Sequence, residues 1–205
     1  MTAEAVFYIL AGYLCGSILF AQVFGVLLKR KNIAKESPDQ NPGTANAFVY
    51  GGFLCGALTL CGDMAKGFLP VFLYIHWAAQ PSALGMAFVL AAPVIGHIFP
   101  VFSRFRGGKG IAVSFGCLLG LLPNYIPLAI LTLTFLFFSV VFCVTPNYYR
   151  TILTYLVALA LTFLAEPNRI ITLGFAIIVL AVLVRMGLSR EERAKPQVKL
   201  LLWRR

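Results

Sequence analysis

The chain has 205 residues, 60% hydrophobic and 12% charged, with a net charge of +10. That balance excludes a soluble globular domain, which needs more polar surface to cover its core, and it fits one bundle of apolar spans facing lipid directly. It also speaks against a nucleic-acid partner, because the basic residues form no stripe on one face and instead sit at the ends of apolar stretches, where the positive-inside rule puts them.

The apolar stretches come in chain order. Residues 5–28 are long enough to cross a bilayer, which takes about 20 residues, and too long for the h-region of a signal peptide. Residues 48–77 follow, interrupted by Asp63 and Lys66, and then residues 83–102. Residues 111–122 are too short to cross comfortably, so this stretch is expected to tilt or to form a half-helix behind a glycine-rich loop. Residues 125–144, 151–165 and 170–184 complete the set. Turns are expected at Pro81, residues 104–109, Pro123-Asn124, Pro146-Asn147 and Pro167-Asn168. The expected fold is all-α: one polytopic transmembrane bundle over residues 1–205, with about seven membrane-embedded segments.

Charge orients such a bundle. Lys29, Arg30, Lys31 and Lys35 occupy the first loop, Arg104, Arg106 and Lys109 a later one, and Arg185, Arg190, Arg193, Lys195, Lys199, Arg204 and Arg205 the tail. The N-terminus carries Glu4 and the 77–82 turn carries no charge. Seven crossings with the N-terminus outside put all three basic regions in the cytoplasm, and five would keep the same sidedness.

Cys15, Cys55, Cys61, Cys117 and Cys143 lie in apolar segments without a C-x-x-C pair, and the only histidines are His76 and His97. No metal-ligand spacing follows, and neither a metal nor an organic cofactor is expected.

Three features stand out. Asn41-Pro42-Gly43-Thr44-Ala45-Asn46 is a polar Pro-Gly turn just before an apolar span. It reads either as an ordinary N-cap or as an anion site on free helix N–H groups. Gly107-Gly108-Lys109-Gly110, behind Arg104 and Arg106, lacks Walker A spacing. It reads either as a flexible basic loop or as a phosphate cradle with Lys109 and the two arginines supplying charge. Asp63 and Lys66 are three residues apart and share a helix face. They form either a structural pair or the support of a site, with His97 as a hydrogen-bonding or proton-carrying neighbour.

The order of these features resembles the bacterial acyl-phosphate:glycerol-3-phosphate acyltransferases, the PlsY family. Val94-Ile95-Gly96-His97-Ile98-Phe99-Pro100-Val101-Phe102, running on through Arg104-Phe105-Arg106-Gly107-Gly108-Lys109-Gly110-Ile111-Ala112, is similar to that family's second motif region. Gly16-Ser17, Asn41-Pro42-Gly43, Asn46, and Asp63 with Lys66-Gly67 recur in family order. The resemblance implies transfer of a fatty acyl group from acyl phosphate to glycerol 3-phosphate, giving lysophosphatidic acid for phospholipid synthesis, in the bacterial cell membrane. It also implies that Lys109, Asn46 and His97 act in catalysis. Arg104, Arg106, Gly107, Gly108, Gly110, Asn41, Gly43 and Thr44 would bind substrate phosphate, with Ser17, Asp63 and Lys66 in support. Acyl phosphate, glycerol 3-phosphate and membrane lipid are the expected partners. The sequence departs from the family at Pro38-Asp39-Gln40, where Gly-Ser-Gly is usual, at Val49, where an arginine is usual, and in the tail 184–189, which has no His-x-x-Asn. Two alternatives stay open: a diverged member that binds a phosphorylated lipid or regulates lipid synthesis without acyl transfer, and a small membrane transporter.

Overall fold

The computed structural model describes residues 1–29, 31–191 and 193–200; Arg30, Arg204 and Arg205, counted above among the basic residues, lie outside them. Its helices are α1 (Ala3–Gly16), α2 (Phe20–Lys29), α3 (Ile33–Glu36), α4 (Thr44–Gly51), α5 (Phe53–Trp77), α6 (Ala83–Ile98), α7 (Ile111–Leu119), α8 (Ile126–Leu136), α9 (Asn147–Ala165) and α10 (Arg169–Leu188). Among the described residues, five units are long and apolar enough to cross a membrane: Ala3–Lys29, Phe53–Trp77, Ala83–Ser103, Asn147–Ala165 and Arg169–Leu188. The chain is therefore a polytopic helical bundle, with two further apolar helical segments that fall short of spanning length.

One short segment is α7. Its 9 residues rise only about 14 Å, roughly half the hydrocarbon thickness, so it is a half-helix behind the glycine loop. The other is the 125–144 stretch, which was expected to be one helix. It ends as an α-helix at Leu136, loosens into a π-helical turn (Phe137–Val141), and becomes strand β1 (Phe142–Thr145). β1 pairs antiparallel with β2 (Gln197–Leu200) from the tail, with Cys143 opposite Lys199. The bundle thus carries one small β-ribbon that no hydropathy pattern announces, because its partner strand lies more than fifty residues away.

Two other stretches are also divided. Residues 5–28 break at Ser17–Leu19 into α1 and α2, and residues 48–77 break at Gly52, whose φ of 83° suits glycine and ends α4. The Ser17 hydroxyl stitches the first break. It donates to the Tyr13 carbonyl at 2.9 Å and accepts from the Val101 N–H at 3.3 Å.

Helix α6 is the axis of the bundle. Of its most apolar window 67% is buried, against 28% for α9, and it packs against α1, α5, α7 and α10. Around it gather Leu90, Val94 and Ile98 with Val113, Leu118, Phe175 and Val182. Outward-facing Phe53, Leu27 and Leu164 are 81%, 70% and 78% exposed, the arrangement expected of lipid-facing side chains.

The two ends of the bundle differ. At one end both carboxylate oxygens of Glu4 accept from the N–H groups of Ala79 and Gln80, and Glu166 accepts from Asn124. At the other end the first loop, the glycine loop and the tail meet through charged side chains.

Candidate functional site

Two clusters of ionisable side chains define the basic end. The deeper one begins with Asp63 and Lys66, one turn apart on α5 and both nearly inaccessible. Lys66 Nζ lies 2.8 Å from Asp63 Oδ1, 2.5 Å from the Ile18 carbonyl oxygen and 2.9 Å from His97 Nδ1. An ammonium has three N–H donors and no acceptor, so each donor has one partner. His97 Nδ1 then accepts, and the neutral ring carries its proton on Nε2. In that arrangement His97 has no free lone pair to act as a general base. Thr44 reaches the same cluster, its Oγ1 donating to Asp63 Oδ2 at 3.4 Å.

The second cluster surrounds Lys109. Its ammonium lies 3.2 Å from Asp39 Oδ2 and 3.0 Å from Glu191 Oε1. Asp39, one of the departures from the family pattern, is therefore turned toward the lysine. Asn46 Nδ2 donates to Asp39 Oδ1 at 2.8 Å and to the Asn41 carbonyl at 2.9 Å, and the Asn41 N–H donates to Asp39 Oδ1 at 3.2 Å. Burial pushes the Asp39 carboxyl up, but Lys109 and these hydrogen bonds outweigh it and hold the group below its ordinary value.

A cavity of about 300 Å³ lies between the clusters. Its walls include Asn41, Gly43, Thr44, Asp63, His97, Lys109, Asn147, Arg150 and Thr151 on the polar side, and Leu60, Ile111, Phe115 and Phe135 on the apolar side. Three helix starts open into it. Gly43 is the N-cap of α4, Gly110 is the N-cap of α7, and Asn147 is the first residue of α9. Each helix start presents free N–H groups and about +0.5 of an elementary charge, so the three together favour an anion. Asn41 is 6% exposed, and its Oδ1 has no hydrogen-bond partner among the described residues.

A second cavity of about 270 Å³ is lined by Asp39, Gln40, Phe99, Arg106, Gly107, Arg185 and Arg190. The Asp39–Lys109 ion pair stands where the two cavities adjoin, one partner lining each.

The glycine loop has a different local logic from a simple cradle. A Cβ on Gly107 would collide with the His97 carbonyl oxygen, and one on Gly108 with the His97 ring. The Gly108 N–H donates to the His97 carbonyl at 3.1 Å, so it is not free for phosphate. Gly110 has a φ of 82°, which favours glycine, and it starts α7. The loop carbonyls are held by Arg185, whose Nη2 donates to Gly107 O at 2.9 Å and whose Nε donates to Gly108 O at 3.2 Å.

The structure brings Asn41, Gly43, Thr44, Asp63, His97, Lys109 and Gly110 to one cavity, with Lys66 directly behind, and Arg106 and Gly107 to the adjoining one. It does not bring Arg104 there: that residue is exposed, adopts a left-handed φ of 52° and lines neither cavity. Asn46 also lines neither, because its amide is committed to Asp39 and the Asn41 carbonyl. Ser17 ties the helix break to residue 101. Sequence reasoning missed Arg150, Arg185 and Glu191 as site residues. They carry no motif, and Arg185 was counted only as positive-inside charge.

Comparison with known proteins identifies the family. The family model described as glycerol-3-phosphate acyltransferase matches residues 6–191. A protein from Pseudomonas syringae pv. tomato named glycerol-3-phosphate acyltransferase is 42% identical over 131 residues, covering 62% of this chain and 65% of that protein. One of the same name from Serratia proteamaculans is 40% identical over 118 residues, covering 58% of this chain and 54% of the other. The matched region thus spans less than two thirds of either relative's own length. The crystal structure of PlsY (YgiH), an integral membrane glycerol 3-phosphate acyltransferase, in its glycerol 3-phosphate form, superposes with a TM-score of 0.75 at 25% identity, covering 90% of this chain and 89% of that one. Its lysophosphatidic acid form gives a TM-score of 0.71 at 26% identity. On the match over residues 6–191, the chain belongs to the glycerol-3-phosphate acyltransferase family.

Proposed function

We propose that the protein transfers a fatty acyl group from acyl phosphate to glycerol 3-phosphate. The observation that carries this reading is the cavity onto which three helix starts and Lys109 converge, because that polar side faces an apolar one. An acyl phosphate has that same division, a dianionic head on a hydrocarbon chain. Its head would lie at the helix starts and Lys109, and its chain along Leu60, Ile111, Phe115 and Phe135. Glycerol 3-phosphate would enter through the polar cavity, toward Arg106, Arg185 and Arg190. The solved PlsY carries glycerol 3-phosphate in one form and lysophosphatidic acid in the other, which supports the acceptor and product.

The donor is an activated mixed anhydride, so positioning and charge stabilisation can supply most of the catalysis. The acceptor's 1-hydroxyl oxygen attacks the acyl carbon and forms the ester bond. The bond from that carbon to the bridging oxygen breaks, and inorganic phosphate leaves with the electron pair. The hydroxyl proton goes to a phosphate oxygen, whose second pKa is near ~6. His97 is not needed for this step, because Lys66 occupies its Nδ1. Asn41 Oδ1, buried and unpartnered on a residue that lines the cavity, would accept from the acceptor's 2-hydroxyl and leave the 1-hydroxyl proton to the phosphate oxygen. The orientation follows from charge: the basic end, with Lys109 and the tail, faces the cytoplasm, and the N-terminus lies outside.

The test is purified protein incubated with acyl phosphate and labelled glycerol 3-phosphate, scored for labelled lysophosphatidic acid. Formation of that product with one phosphate released per acyl group transferred is expected. Absence of product while the lipid substrate still binds would turn the reading to a lipid-binding relative without transferase activity.

A further inference from the structure

Arg150 lies one turn into α9 and lines the amphiphilic cavity together with Asn147 and Thr151. An arginine near a membrane interface ordinarily snorkels, with its stem on apolar surface and its head in water. Here the Nε atom is buried and has no hydrogen-bond partner among the described residues. The guanidinium lies 5.8 Å from the centre of the Phe135 ring, another wall of the cavity. Glu191 attracts it through space, yet the carboxylate contact is made to Lys109.

The charge balance around the cavity makes this unusual. Lys109 has two carboxylate partners, Asp39 and Glu191, and Lys66 has Asp63. Arg150 is the cation of the cavity wall with no paired carboxylate among the described residues. A buried donor without a partner costs free energy that a ligand oxygen can recover. Arginine presents several N–H donors in a planar fork that fits a phosphate oxygen pair.

We infer that Arg150 binds the phosphate head of the lipid donor, from the part of the cavity wall that α9 supplies. The inference rests on the donor cavity proposed above. It assigns to α9 a cationic contact that neither basic motif in the sequence supplies. On this arrangement an incoming dianion meets Arg150 and the three helix starts first. It draws Lys109 away from Glu191 second.

The experiment uses the full chain in detergent and palmitoyl phosphonate, which keeps the acyl and phosphorus groups but resists transfer. Hexadecanol, with a chain of the same length and no charge, is the second probe. Arg150→Gln is expected to weaken phosphonate binding about ten- to a hundredfold, the loss of one charge-assisted contact. Arg150→Lys should fall between, because it keeps the charge without the fork, and the uncharged hexadecanol should bind all three proteins alike. Phosphonate binding by Arg150→Gln as tight as the parent's overturns the assignment, and so does equal weakening of both probes, which would mean lost packing. If Arg150→Gln fails to fold, Arg150→Lys decides: weaker phosphonate binding with unchanged hexadecanol binding supports the contact, and parent-like binding of both overturns it. A parent that does not bind the phosphonate overturns it too. The transfer assay then judges the proposed function separately.

Discussion

The two lysine clusters use the same chemistry for different ends. Lys66 is sealed in: Asp63, His97 and the Ile18 carbonyl use all three donors, and the side chains are 3% and 2% exposed for Lys66 and Asp63. Lys109 is 14% exposed and is bridged by carboxylates from two separate segments, residue 39 in the first loop and residue 191 in the tail. A closed and satisfied cluster fixes geometry. A cluster at the edge of two cavities, held by side chains that can swing away, can exchange its partners for substrate. The first lies where polar groups are costly and must be paired; the second lies where water and anions can compete.

Variants can break this contrast, and the largest effect should come from the sealed cluster. Asp63→Ala leaves an unpaired ammonium inside the bundle and should destabilise by about 3–5 kcal/mol. Thermal unfolding in detergent checks it. The paired replacement Asp63→Leu with Lys66→Met should unfold less readily than Asp63→Ala alone, since no lone charge remains.

Lys109→Ala should instead leave the unfolding temperature close to the parent's and remove transfer. Loss of its phosphate contact alone is worth about ten- to a hundredfold, and a steady-state assay under saturating acyl phosphate would read it. A strong loss of stability in this variant would place Lys109 with Lys66 as a structural residue.

A smaller effect of opposite sign is expected at the tail. Glu191→Gln removes one anion that competes with substrate for Lys109. It should lower the KM for the phosphorylated donor by about a few-fold, within the range of a partly exposed ion pair, with kcat little changed. A raised KM would mean that Glu191 positions the lysine rather than restraining it.

The smallest effect is a pH dependence. Asp39 titrates below its ordinary value in the folded protein. Its contribution is therefore fully present above the unfolded value of about 3.9, and it is lost as pH falls through the lower folded value. The difference in unfolding temperature between the parent and Asp39→Asn should be flat from about pH 5 to 7 and shrink below about pH 4. A difference that instead grows on acidification would contradict the Asp39–Lys109 pairing.

Much of the molecule could be read along the chain. Apolar length identified a membrane bundle, the 111–122 stretch was too short to span and is a half-helix, and the three-residue spacing of Asp63 and Lys66 put them on one face. These are consequences of local periods and of the free energy of apolar transfer, which neighbouring residues are enough to specify. The Asn-Pro-Gly turn and the glycine loop were legible as candidate helix starts for the same reason. What only the tertiary structure decided lies between segments far apart in sequence. Arg185 reaches the glycine loop from 77 and 78 residues away, Glu191 pairs with Lys109, and β2 finds β1. Arg150 gave no local sign of facing a cavity rather than water. Charge interactions act through space and the backbone hydrogen bonds of a ribbon join whichever strands the fold places side by side, so neither leaves a period in the sequence for a local reading to find.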